Sequence, residues 1–368
     1  MRPTKPSTVN RQPSTVDYIC TWIYLDSPEE SSEYPQVGKQ SHLPAFQKVY
    51  WKCVAVFFAC STKYNPDRRH VLFTNKRADE IPEVDGLDLK RFLTDRNVDI
   101  VTIPLTWQTP EGYFGKWRNQ FYIFDILQFI ENQREAFPAV QRISKSVDTP
   151  GAATGAVNPE PGFLILDSDC IVHRALDGLF ADIHRYGLLA LPMPYSETHD
   201  INGVTREEMR RIYAELDGAD PGNNPVYYGG EIFAATLPVI RKVNRIAPVL
   251  WTKMLERFDK GQSKLNEEAH FLSYCYHKIG GFGSLEGFIK RIWTSPKYSN
   301  VQPEDAQLPI WHLPSEKTGG IALLFKQLQG GSWDRDNLGG YVGVPKRKRY
   351  LDLKHRIKHT LIYKWLTR

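Results

Sequence analysis

The stretch Phe163-Leu164-Ile165-Leu166-Asp167-Ser168-Asp169 decides how the chain reads. Four apolar residues run straight into two acids set one residue apart. Strands buried on both faces of a parallel sheet show such near-continuous apolar runs. Ligands of open α/β sheets bind beyond the carboxyl ends of those strands. Alternate residues of an extended segment point the same way, so Asp167 and Asp169 converge. Two carboxylates held together raise each other's pKa unless a cation lies between them. Oxygen ligands of this type suit Mg²⁺ or Mn²⁺, ions commonly shared with substrate phosphates. A competing reading is a polar turn after a core strand with Asp169 capping the next helix, and the residues leave it open.

Working outward, residues 17–25 have strand character, and the apolar run 51–60 (WKCVAVFFAC) reads as a strand. Residues 71–75 and 99–105 read as two more strands, with a helix over 87–95 between them. The periodicity predicts an amphipathic helix over 117–133. Downstream come a short strand at 188–193, a strand over 226–235 broken by two glycines, and helices over 238–259 and 267–277. Strands alternating with helices predict an α/β fold, a mostly parallel sheet flanked by helices. The organisation predicted is a partly disordered N-terminal extension over 1–45, a catalytic domain over 46–320, and a basic C-terminal tail over 321–368. The Gly/Ala/Pro-rich segment 146–161 reads as a flexible insertion in that domain.

The chain has 368 residues, enough for one large α/β domain or two small ones. It lacks any apolar run of about 18 residues or more, the length a membrane-spanning helix needs. Its N-terminal residues lack the apolar core of a secretory signal. The five cysteines are scattered and show no metal-binding or paired spacing, which points to a reducing, cytoplasmic compartment. The net charge of +5 belongs to the C-terminus: residues 346–368 hold nine of the 47 Lys/Arg and one of the 42 acids, leaving 38 against 41 elsewhere. That tail reads as a basic, partly amphipathic helix carrying Leu353, Ile357, Leu361 and Trp365. It suits an anionic membrane surface, where each Lys or Arg contributes about 1 kcal/mol, on the inner face of a membrane. A solvated helix packed on the body explains it as well. No nucleic acid partner is expected, because the body is not basic and shows no recognition motif.

Four further groups carry chemistry. Tyr227-Tyr228-Gly229-Gly230-Glu231 places paired glycines where a ligand approaches closely or where the strand bulges. In Asn266-Glu267-Glu268-Ala269-His270 the asparagine reads as a helix N-cap with two acids in the first turn. Either acid, facing a cleft, can serve as base, nucleophile or cation stabiliser. His270, two residues past Glu268, projects elsewhere and is not its obvious partner. His312, in Ile310-Trp311-His312-Leu313, is either a core histidine or a third metal ligand, and Arg118 either a surface residue or a diphosphate contact.

Taken in order, these pieces resemble glycosyltransferases of the GT-A (Rossmann-like) fold over residues 49–312. The elements that carry the resemblance are Asp167/Asp169, Gly229/Gly230, Glu267/Glu268 and His312. Tyr227 to Phe233 followed by the Asn266–His270 box is similar to the retaining histo-blood-group A/B and α-1,3-galactosyltransferase family. The chain departs from it at Glu231, where that family has a small residue, and at Ala234-Ala235, where it has glycines. The resemblance implies a metal-dependent, retaining transfer of a galactose-type hexose from a UDP-sugar to a glycan or lipid-linked glycan. It implies Mn²⁺ or Mg²⁺ on Asp167, Asp169 and His312, and Glu268, with Glu267 beside it, at the anomeric carbon. Arg118, Asp167, Tyr228, Gly229, Gly230 and Glu231 are then expected to contact the nucleotide sugar. Inversion with Glu268 or Glu267 as base stays open, as do a sugar nucleotidyltransferase and a non-catalytic glycan-binding protein. A nucleotidyltransferase is disfavoured because Ala59 to Lys63 contains no glycine for a phosphate loop.

Overall fold

The computed structural model describes residues 16–34, 37–115, 119–132, 160–295, 298–331 and 337–346. Arg118, most of the 146–161 segment and the tail beyond 346 lie outside the described residues. The fold is α/β. Seven strands form the main sheet: β1 (Tyr18–Ile23), β2 (Arg69–Thr74), β3 (Val98–Thr102), β4 (Gly162–Leu166), β6 (Leu188–Ala190), β7 (Ile232–Thr236) and β8 (Gly283–Ser284). Their spatial order is β8-β6-β7-β4-β1-β2-β3. Every neighbouring pair is parallel except those made by β7, which runs against both β4 and β6.

Side chains alternate along the strands and feed a core on each face. Ile19, Leu72, Leu164 and Leu166 point to one side, and Cys20, Val71, Phe73, Phe163 and Ile165 to the other. Helices α1 (Pro44–Tyr64), α2 (Leu89–Thr94), α4 (Asp177–Tyr186) and α8 (Gly320–Gln329) cover the first face. Helices α3 (Tyr122–Asn132), α5 (Arg206–Asp217), α6 (Leu237–Asp259) and α7 (Glu268–Ile279) cover the second.

The run 51–60 is not a strand but the middle of α1. Cys53 to Phe58 are buried without interruption, because α1 is covered by the sheet, by α8 and by a small second sheet. A helix enclosed on several sides loses its polar stripe and cannot be told from a buried strand by periodicity. Pro44, at the start of α1, supplies the preset φ that favours a first helical turn. The sheet also starts ahead of residue 46, where the sequence sets the beginning of the core: β1 sits between β2 and β4. At the other end, Ile321, Leu324, Phe325 and Val342 are buried in the core, so the folded body runs past residue 320.

The strand expected over 226–235 is shorter. β7 begins at Ile232, and the two glycines lie in the approach to it. The helix expected from 117 begins at Tyr122.

Candidate metal centre and active site

β1 pairs with β2 on one side and β4 on the other, so the chain order reverses between β1 and β4. A crevice opens at such a switch point, outside the carboxyl ends of the strands. Here it is a cleft of about 250 Å³, bordered by Ile23 at the end of β1 with Tyr24 and Leu25 beyond it, and by Asp167, Ser168 and Asp169 after β4.

Pairing on both sides fixes the acids. β7 lies antiparallel to β4 with Ile232 opposite Leu166. Glu231 therefore falls beside Asp167, and its carbonyl accepts the Asp167 amide at 3.0 Å. After Asp169 the chain enters β5 (Cys170–Val172), which joins β10 (Ile310–His312) and β9 (Ile289–Arg291) in the small second sheet. His312 sits opposite Cys170, and Arg291 opposite His312. Three short strands from distant parts of the chain thus carry Arg291 and His312 to the acid pair.

Asp167, Asp169 and His312 each offer one ligand atom, and these lie within 4.8 Å of one another. His312 Nε2 is 3.4 Å from Asp169 Oδ2 and 3.8 Å from Asp167 Oδ2. Asp167 keeps 34% of its side chain exposed towards the cleft, whereas Asp169 keeps 2%. The ammonium of Lys317 pairs with Asp169. Burial and the neighbouring Asp169 push the Asp167 carboxyl up. Burial acts on Asp169 in the same sense, but Lys317 and His312 outweigh it and hold that carboxyl well below its usual range. Desolvation pulls His312 down, yet Asp169 and Glu231 lift it to about 9. The acid pair is thus neutralised by a protonated imidazole and an ammonium. Two carboxylates and an imidazole fit a divalent ion, which would take the place of the proton on Nε2 and of Lys317 on Asp169.

Across the cleft, Glu267 rather than Asn266 occupies the N-cap of α7, with φ of −140°. Glu267 is buried; the Tyr227 hydroxyl donates to one of its oxygens at 2.7 Å and the Asn202 amide to the other at 2.5 Å. Burial, partly offset by those two bonds, pushes it up to about 7. Glu268, the first residue of α7, lines the cleft, and its Oε2 has no hydrogen-bond partner among the described residues. Burial and the adjacent Glu267 push its carboxyl well up. His270 is fully buried behind Glu267, 5.2 Å from the Tyr227 ring, and burial lowers it to about 3, so it is neutral.

The paired glycines leave room for glutamates. A Cβ on Gly230 would lie 2.5 Å from Glu268 Oε1, and one on Gly229 would strike the Glu231 carboxylate. Gly230 lines the cleft, whereas Tyr228 turns its ring to Tyr276 and Phe282 on the far side. Glu231 lines the wall but is 3% exposed and gripped by Arg291, with Nε to Oε1 at 2.9 Å and Nη2 to Oε2 at 2.5 Å.

Three residues at the site carry no local sequence signal. Lys317 follows His312 by five positions, ahead of Gly319-Gly320, in a segment that reads as a loop. Arg291 sits in a strand of three residues, and Asn202 in a turn where its φ is +50°. All five cysteines are buried and unpaired. Among the described residues no helix is long and apolar enough to cross a membrane. No protein-family model matches the chain, and no curated protein matches it.

Proposed function

We propose that the chain is a metal-dependent glycosyltransferase of the GT-A type, using a nucleotide diphosphate sugar. The observation that carries this reading is a single cleft lined both by Asp167, Asp169 and His312 and by Glu268, whose Oε2 has no hydrogen-bond partner among the described residues. Five carboxylates border the cleft, Asp167, Asp169, Glu231, Glu267 and Glu268, against Arg291, His312 and Lys317. A diphosphate brought directly against Asp167 and Asp169 meets like charge, so an anionic substrate at that wall needs a cation between them. A divalent ion there supplies Lewis-acid neutralisation of charge on the departing diphosphate. Lys317 is the lysine that lines the cleft among the described residues, and a cation on Asp169 would leave its ammonium available to the phosphates.

Glu268, in its ionised form, carries the chemistry at the anomeric carbon, stabilising the cationic transition state or attacking it; a cation on Asp167 would offset one of the charges that oppose that ionisation. Glu267 is committed to Tyr227 and Asn202, which leaves it to hold the start of α7. The cleft end with Tyr24, Phe46, Gln47, Asn119 and Gln120 offers aromatic faces and amides to a nucleobase. UDP-galactose or a related hexose donor, a glycan or lipid-linked glycan acceptor, and retention of configuration follow from the resemblance of the 227–233 and 266–270 segments. The tail that would dock on a membrane lies outside the described residues.

The test is a thermal-shift panel of nucleotide sugars with and without Mn²⁺, followed by turnover. A ligand at 100 times its Kd stabilises by about 2.7 kcal/mol, and the shift should require Mn²⁺. Asp169→Asn should abolish Mn²⁺-dependent turnover in a folded protein, and unchanged turnover would remove the metal from the reaction. The anomeric proton coupling of the product reads retention or inversion.

A further inference from the structure

We propose that Glu231 is a positioning residue for the cation site, setting the His312 ring so that Nε2 faces Asp167 and Asp169; this rests on the cation reading above. The sequence places Glu231 where a donor-contacting residue is expected, but in the cleft wall its carboxylate is packed against Gly229 and is 3% exposed. Oε1 of Glu231 lies 3.3 Å from His312 Nδ1, while the opposite ring nitrogen faces the two aspartates. Arg291 grips both oxygens of Glu231 and so fixes the plane of the carboxylate that His312 meets. The Glu231 carbonyl meanwhile accepts the Asp167 amide. One residue therefore orients two of the three ligands, through its side chain and through its main chain.

A carboxylate on the outer nitrogen of a metal-binding histidine fixes its tautomer and raises its basicity, and losing it typically costs about 10–100-fold in metal affinity. The competing account is that Glu231 only neutralises the buried charge of Arg291. The two accounts differ in whether the effect of Glu231 passes through His312.

The experiment is Mn²⁺ titration, followed by the paramagnetic resonance signal of free Mn²⁺, on wild type, Glu231→Gln, His312→Ala and the double variant. The expected result is a loss of about 10–100-fold in Glu231→Gln, with no further loss beyond about twofold when His312 is already alanine. Wild-type affinity in Glu231→Gln, or the same loss repeated in the His312→Ala background, overturns the proposal. Wild type that binds no Mn²⁺ overturns the cation reading itself, a distinct outcome. If Glu231→Gln fails to fold with Arg291 left unpaired, ¹⁵N spectra of the wild-type Mg²⁺ complex decide. A proton on His312 Nδ1 and none on Nε2 supports the proposal, and the opposite tautomer overturns it.

Discussion

Replacing Gly230 by Ala would set a methyl carbon 2.5 Å from Glu268 Oε1 and 3.1 Å from Ala269 Cβ. The backbone of Gly230 lies outside the left-handed region, so only space opposes the change. Ordinary contact begins near 3.4 Å, and the carboxylate must retreat by about 0.9 Å, the difference of the two distances. The atom it meets is the far end of the flexible Glu268 side chain, so a small shift of the carboxylate relieves the contact and little stability should be lost. Misplacing a reacting group by about 1 Å costs on the order of 100-fold in rate, or about 2.7 kcal/mol of barrier. Gly230→Ala is expected to lower kcat for nucleotide-sugar turnover by that factor while Tm and Mn²⁺ affinity stay near wild type. Gly229→Ala should behave in the opposite way, because its methyl would press on Glu231 and hence on His312. There Mn²⁺ affinity falls first. A Gly230→Ala enzyme with wild-type kcat would show that the Glu268 carboxylate does not act on the sugar.

Three more outcomes are expected. Lys317→Met leaves the buried Asp169 with His312 as its remaining ion-pair partner among the described residues, so the metal-free protein should lose about 3–5 kcal/mol, and Mn²⁺ should raise its Tm by more than it raises that of wild type. Asp17 accepts from Arg68 at 2.7 Å, His184 at 2.9 Å and the Gly162 amide at 3.0 Å, at the end of the sheet away from the cleft. Asp17→Asn should cost about 3 kcal/mol in denaturant unfolding without changing Mn²⁺ affinity, and a changed affinity would show that the two ends of β4 are coupled. Glu267 has its folded pKa raised from 4.5 to about 7, so its contribution to stability is full below pH 4.5 and is lost as the pH rises through 7. Glu267→Gln should flatten that part of the decline, measured as the urea midpoint at pH 5 and pH 8.

The sheet was legible where strands kept their apolar runs. β2, β4 and the acid pair after β4 could be read directly, because hydrophobic continuity and a polar stop report a strand end. α1 could not, because its enclosure erased the periodicity that separates helix from strand. The site divided in the same way. Asp167, Asp169 and Glu268 stand beside recognisable punctuation, a strand end and a helix start. Arg291, Lys317 and Asn202 belong to three-residue strands, turns and loops, whose pairing partners are distant in sequence and leave no local pattern. His312 could be named as a candidate, but only the antiparallel pairing of β10 with β5 brings it to the aspartates.

The place of β1 bears on how the chain is made. On a ribosome, β1 and β2 emerge early and can pair at once, yet the other flank of β1 waits for β4, with Tyr18 matched to Phe163. Until then a row of amides and carbonyls stands open to any passing strand, the usual seed of misassembly. α1 waits longer still for α8, so the growing polypeptide carries an uncovered greasy surface until residues 320–329 are released. Synthesis of this protein should lean on chaperones that shield early segments, and truncations before residue 320 should precipitate rather than yield a smaller working unit.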